Sequence, residues 1–393
     1  MNNRQLFLQH VAQTSESPIG IEMVEAAGVT LTDVHGKTYT DFIAGFSVCN
    51  IGHSHPEVVK AVQEQAAKYM HLIVYGEFIE SPQVQYAALL ASHLPQNLDC
   101  VYFTSSGAEA TEGALKLAKR VTGKTKILAC NKAYHGSTQG ALSVMGDEYW
   151  RNAFRPLLPN TMQVNYNSFE DLENITTQTA CVIAETVQAE AGVLIPQNNW
   201  LKALRKKCTE TATLLILDEI QPGFGRTGKL FGFMNYNVVP DILVMGKGMG
   251  GGLPIGAFTA SKTLMDLLQE KPKLGHITTF GGNAVIAAAA LATLKEITQS
   301  SLMQQALEKE ILLRSLLVHK AIKEIRGTGL MLALIMETPA IANQVILKCK
   351  DKNLILFWLL FEPRAIRISP PLTISNAEII EGCTILSQVL NEI

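Results

Sequence analysis

The chain has 393 residues, 47 % hydrophobic and 17 % charged, with a formal net charge of −2. That length allows a large core and more than one domain, and the composition is globular rather than disordered. The near-neutral balance gives no reason to expect nucleic acid or an anionic membrane as partner, and the longest apolar stretch, at 284–294, is too short to span a bilayer.

The N-terminal MNNRQLFLQHV lacks the apolar segment and cleavage site of a secretory signal, so a cytoplasmic protein is expected. The 7 cysteines are scattered and never paired as C-x-x-C, which fits reduced thiols better than a disulfide frame or a structural zinc. Residues 1–20 read as a helix and an irregular lead-in. Short strands are expected at 21–24, 29–33 and 39–42, with a turn at 33–36, as a small sheet outside the main one. The turn GHSHP at 52–56 opens a helix over 57–69. His53 and His55 form a His-x-His pair, but no third ligand stands near, so a helix entry is the simpler reading.

A helix is expected at 81–94, with Pro82 in its first turn. A strand at 101–104 leads into Ser105-Ser106-Gly107-Ala108-Glu109 and a helix to about 121. Ser106 with Glu109 fits a capping box, which in most chains only starts a helix. Gly107 and Ala108 are small enough to let a ligand reach the free N–H groups, making that end a candidate anion site. A strand at 126–130 precedes Tyr134-His135-Gly136, which alone would read as packing. An aromatic and basic loop at 149–159 is placed to border a substrate entrance. A strand at 181–184 ends in Glu185, followed by TVQAEAG with Glu190, where two carboxylates after one strand are candidates for acid–base work or simply a solvated loop.

The most informative stretch is 214–252. After a helix at 200–210, two short apolar runs, at 214–217 and 241–245, read as buried strands. The first ends in Asp218 and Glu219, the second in Gly246-Lys247-Gly248. Chemistry in open α/β sheets sits beyond the carboxyl ends of strands, so Asp218 and Lys247 are expected at one sheet edge. A lone Lys between glycines after a strand is a candidate buried amine for Schiff-base chemistry.

A strand continues at 253–260, and a turn at 278–283 enters an Ala-rich helix. A long helix is expected at 300–321, strands at 325–326 and 330–336, and a helix at 341–350. The apolar run FWLLF at 357–361 is read as core. A final helix spans 376–390. GFGRTGK at 223–229 nearly matches a phosphate loop, but Leu230 stands where a Ser or Thr must meet Mg²⁺. The G-x-G-x-x-G at 246–251 lies late in the chain and has no acidic residue about twenty positions on.

The segments LLILDEIQPGFGRTG and VMGKGMGGGLPIGA resemble the core of the class III aminotransferases, the acetylornithine, ornithine and 4-aminobutyrate aminotransferase group. The resemblance spans nearly the whole chain. It implies fold type I: a large domain at 51–298 with a mostly parallel seven-stranded sheet flanked by helices, and a smaller α+β domain at 299–393 joined by residues 1–50. It also implies pyridoxal 5'-phosphate bound to Lys247, with Asp218 paired to the ring nitrogen and Gln221 at the ring's phenolic oxygen. Ser106, Gly107 and Ala108 would hold the phosphate, together with Thr279 from the other subunit of a homodimer with shared sites. Tyr134 would stack on the ring and Glu185 would frame it. Arg367, in a motif that reads RISPPL, would bind a substrate carboxylate bidentately, with Glu190 as its alternative partner. The implied reaction is ping-pong transfer of an amino group to a 2-oxo acid, with an acetylornithine-like or ω-amine donor. Aminomutase, racemase or decarboxylase chemistry is the alternative, because relatives use the same site for it. Ser137 departs from the pattern, since relatives that bind a distal carboxylate carry Arg there.

Overall fold

The structure, a computed structural model, describes residues 2–393. The N-terminal sheet holds β1 (Met23–Ala27), β2 (Thr30–Asp33) and β3 (Thr38–Asp41). β1 runs later than expected because Gly28, at φ +58, makes the reversal into β2. The main sheet comprises β4 (Cys100–Thr104), β5 (Lys126–Cys130), β6 (Thr161–Val164), β7 (Thr179–Glu185), β8 (Leu214–Asp218), β9 (Ile242–Gly246) and β10 (Gly256–Ala260). Their order is β4-β10-β9-β8-β7-β5-β6. β5 to β9 are parallel to one another, while β10 runs antiparallel to both β4 and β9.

The central strands are apolar runs because both faces are covered. Leu215 and Leu217 enter one core cluster with Trp200, Leu204 and Met245. Ile216 enters the opposite cluster with Ile183, Val244 and the helix residues Ala114 and Leu117. Alternating side chains on a pleated strand point to opposite faces, so each layer takes every second residue. Full burial of such a side chain contributes roughly 1.5–3 kcal/mol. The helix Gly107–Thr122 packs on this sheet. Ser106 caps its start by accepting the Glu109 N–H, and Gly123, at φ +66, ends it. The Glu109 carboxylate reaches the Ser105 N–H instead of the Ser106 N–H, so the box closes one residue early.

The C-terminal part contributes β11 (Ile322–Thr328), β12 (Met331–Met336), β13 (Leu354–Ile355), β14 (Phe357–Trp358) and β15 (Ala365–Ile368). Four of these form the sheet β11-β12-β15-β14. β13 instead pairs parallel with β3, with Leu354 opposite Thr40, which ties the first and last parts of the chain together.

Other expectations also change in detail. The helix expected to 321 runs Leu302–Leu316, because Ile322 has to leave the helix to pair with Met336. The strand expected from 253 starts at Gly256, since Pro254 has no N–H for the ladder. FWLLF is only partly core: Leu359 and Phe361 are buried, Phe357 and Trp358 are half-buried, and Leu360 is exposed. Alternation along an edge of a small sheet gives it two environments.

Candidate active site

The carboxyl ends of β7, β8 and β9 meet at one edge. Glu185 stands in register with Asp218, and Lys247 follows directly on β9. Lys247 has φ +47, a left-handed conformation uncommon for a residue with a side chain and one that concentrates at functional sites. Glu185, Asp218, Gln221, Glu190 and Lys247 wall one cavity of about 490 Å³, together with Gly107, Ala108, Tyr134 and Ser137. A side chain at position 107 would collide with Ile220, since a Cβ there lies 2.7 Å from its Cδ1. That close approach is what brings the start of the helix Gly107–Thr122 to the cavity.

Electrostatics divide the cavity. Burial of the Lys247 amine lowers its pKa, with Glu190 opposing that shift. Burial raises the Glu185 carboxyl to about 7, although the Ala189 and Tyr134 N–H groups donate to it. Asp218 accepts the Ile220 N–H at 2.9 Å, and its Oδ2 lies 2.7 Å from Nδ1 of His135. Burial opposes charging His135, but its hydrogen bond to Asp218 outweighs that and its pKa ends raised. His135 Nε2 has no partner and is fully enclosed.

The C-terminal sheet does not line the cavity but supplies the partners of Glu190 and Gln221. β15 carries Arg367, whose Nη2 donates to Glu190 and whose Nη1 donates to Gln221. The Leu360 N–H donates to the other Glu190 oxygen at 3.0 Å. Burial disfavours the Glu190 charge, yet Arg367 and that N–H hold its pKa below the usual carboxylate value. The left-handed turn Ala44–Ser47 lays the Phe46 ring 5.3 Å from the Arg367 guanidinium carbon.

Of the residues singled out in the sequence, Lys247, Asp218, Glu185, Glu190, Gln221, Gly107, Ala108 and Tyr134 share this cavity. Arg367 reaches it through Glu190 and Gln221. Ser106 is not on the cavity wall; its hydroxyl accepts the Glu109 N–H. Thr279 borders a separate cavity with Ser105 and Glu112, outside the site of its own chain. Sequence reasoning missed His135 and Phe46. For His135 the one available signal was its place just beyond the carboxyl end of β5; for Phe46 there was none. Tyr149, Trp150 and Phe154 lie at the surface, with Trp150 edge-on to Phe361.

The site fits a planar anionic cofactor that carries an aldehyde. It offers an amine of lowered pKa, a braced carboxylate on the neighbouring strand, an aromatic ring in the wall, and a helix start whose first N–H groups lack intrahelical partners. A cavity of this size holds a cofactor with a small substrate beside it.

Comparison with known proteins agrees. A family model described as aminotransferase class-III matches residues 11–390. An acetylornithine aminotransferase of Lactiplantibacillus plantarum is 36 % identical over 388 residues, covering 98 % of this chain and 97 % of the other. A putrescine aminotransferase of Pectobacterium atrosepticum is 38 % identical over 367 residues, covering 89 % and 78 %. Among solved structures, an ornithine aminotransferase from Toxoplasma gondii superposes with TM-score 0.91 at 30 % identity, covering 100 % of this chain and 96 % of that one.

Proposed function

The chain belongs to the class III aminotransferases, and from that premise we propose which of its residues carry out the transfer. The protein is a pyridoxal-phosphate-dependent transaminase of fold type I. Its relatives above are aminotransferases by name, which does not favour aminomutase, racemase or decarboxylase chemistry. Pyridoxal phosphate, when bound, supplies the aldehyde carbon that receives the amino group and the ring that withdraws electrons.

We assign Lys247 as the residue whose Nζ would hold that carbon and would carry the Cα proton of the donor. Its lowered pKa supports the role, since proton transfer is most efficient near the operating pH. Asp218 would stand at the ring nitrogen and favour its protonated form, and the hydrogen bond with His135 keeps Asp218 oriented. Tyr134 supplies the stacking face and Glu185 the floor. Gln221, whose Nε2 makes only a 3.5 Å contact with Glu190, is assigned the phenolic oxygen. The phosphate falls to Ser106, Gly107 and Ala108, with Thr279 of the partner subunit. Arg367 takes a substrate carboxylate when Glu190 releases it.

A homodimer is part of this reading. Thr279 lies outside its own chain's site, and the segment before the helix Ser81–Ser92 exposes Met70, Phe78 and Ile79, the last at 93 %. Residues 1–50 with 299–393 form the small domain and 51–298 the large one, supported by the β3–β13 pairing. A cytoplasmic site of action is supported by the free cysteines; no described helix is long and apolar enough to cross a membrane. The donor we favour is an ω-amine or an acetylornithine-like amine, because Ser137 presents a hydroxyl where a guanidinium would bind a second carboxylate.

The observation that carries this is that Lys247 and Asp218 wall one cavity from neighbouring strands. Borohydride reduction of the cofactor-loaded protein, followed by peptide mass analysis, tests it. The cofactor mass is expected on the peptide containing Lys247 and to be absent in Lys247→Ala. Attachment elsewhere would overturn the assignment. A screen of amines for bleaching of the visible band then identifies the donor.

A further inference from the structure

Arg226 is fully buried at 0 % exposure, and its charge meets no carboxylate in any described ion pair or hydrogen bond. Its Nη1 donates to the Leu330 carbonyl at 3.0 Å and to the Pro370 carbonyl, and its Nη2 donates to Oδ1 of Asn50. Its own carbonyl accepts the Leu330 N–H at 3.0 Å. Asn50 closes the network, donating from Nδ2 to the Phe224 carbonyl at 2.9 Å and accepting the Leu372 N–H at 2.7 Å on its own carbonyl. Asn50 also packs on the turn after Lys247: a Cβ at Gly248 would lie 2.4 Å from its Nδ2.

The segments so joined are those that carry the site. Gln221 lies five residues before Arg226, on the same loop. Arg367 lies three residues before Pro370, on the strand whose exit Arg226 holds. Arg367 then donates to the side chain of Gln221, which lines the cavity. A guanidinium presents its donors in a rigid planar fork, so three acceptors from three segments fix their relative positions as a flexible ammonium cannot. Buried polar networks of this kind favour one geometry; here both terminal nitrogens of Arg226 are paired, while its Nε has no partner.

We propose that Arg226 is a positioning residue for the substrate-carboxylate side of the site, setting Arg367 against Gln221 through Pro370 and Asn50 without touching substrate. The inference rests on the reading of Arg367 as the carboxylate-binding residue. It separates two properties that a general loss of packing would degrade together: carboxylate recognition at Arg367, and amine chemistry at Lys247.

The test uses cofactor-loaded Arg226→Lys and, because that variant can fail to fold, Asn50→Ala, which removes one acceptor and keeps the guanidinium. Binding of glutarate, an unreactive dicarboxylate, is measured by calorimetry. The rate at which a carboxylate-free diamine bleaches the visible band is measured beside it. Arg226→Lys is expected to weaken glutarate about tenfold and leave the diamine rate within about twofold; Asn50→Ala is expected to do the same to a smaller extent. Unchanged glutarate binding, or equal loss of both properties, overturns the proposal. Arg367→Ala is run alongside. If it abolishes glutarate binding while the other two variants do nothing, this inference alone fails; if it too leaves glutarate unaffected, the reading of Arg367 fails with it.

Discussion

Glu190, which lines the cavity, and Arg367, which does not, form a buried ion pair with side chains 9 % and 3 % exposed. One comes from the loop after β7 and the other from β15, so the pair joins the main sheet to the C-terminal sheet. Removing one partner of a buried pair costs about 3–5 kcal/mol, because the other charge is left without compensation. Glu190→Ala is therefore expected to melt several degrees below the wild type. A carboxylate ligand then takes the vacated place, so glutarate should raise the melting temperature of the variant more than that of the wild type. Equal shifts in both proteins would mean that Glu190 does not gate Arg367.

Asp218 is held from two sides, by the Ile220 N–H and by His135. Asp218→Asn keeps the shape and removes the carboxylate, and with it the hydrogen-bond partner that raises the His135 pKa. Loss of a preorganised electrostatic partner costs about 10²–10³-fold in kcat. The variant is expected to show that fall with the cofactor still bound, as judged by its absorbance. A kcat within a fewfold of wild type would remove Asp218 from the mechanism.

Ser137 lies 3.2 Å from the Tyr134 hydroxyl, and both wall the cavity. Ser137→Arg is expected to introduce a bidentate carboxylate partner there and lower KM about tenfold for donors with a second carboxylate. The diamine should gain nothing. Improved KM for the diamine as well would show that the substitution acts through something other than its charge.

Burial raises Glu185 from 4.5 to about 7. Between those values the folded chain keeps a proton that the unfolded chain releases, so stability falls as pH rises through that window. At 1.36 kcal/mol per unit the effect is about 3 kcal/mol. Glu185→Gln is expected to flatten the decline in melting temperature between pH 5 and 7, as roughly bounded by those values. Some slope should remain, because burial also raises Glu219 to about 7. The variant loses one acceptor for the Tyr134 and Ala189 N–H groups, a cost that does not vary with pH. A slope as steep as wild type would mean that Glu185 is ionised in the folded protein.

Much of the large sheet was legible because its signal is local. The runs ending at Asp218 and Lys247 are strand-length and apolar, and parallel strands deliver their ends to one edge. β6 escaped notice: Thr161–Val164 is a short strand at the sheet edge, only partly buried, and its composition carries no apolar run. The small sheets were harder still. β13 and β14 are two residues each, and their partners lie hundreds of residues away in the case of β3 and on β15 in the other.

The sequence by itself determined the chemistry on offer: an amine and carboxylates at the ends of buried strands. Burial periodicity and turn residues act over a few positions, so they survive in the one-dimensional string. Only the tertiary structure decided that His135 braces Asp218 across 83 positions, that Phe46 covers Arg367, and that Arg226 joins Asn50, Leu330 and Pro370. Those contacts satisfy buried donors and charges with groups from distant segments, and the partner of such a group is fixed by how the sheets pack rather than by its neighbours in the chain.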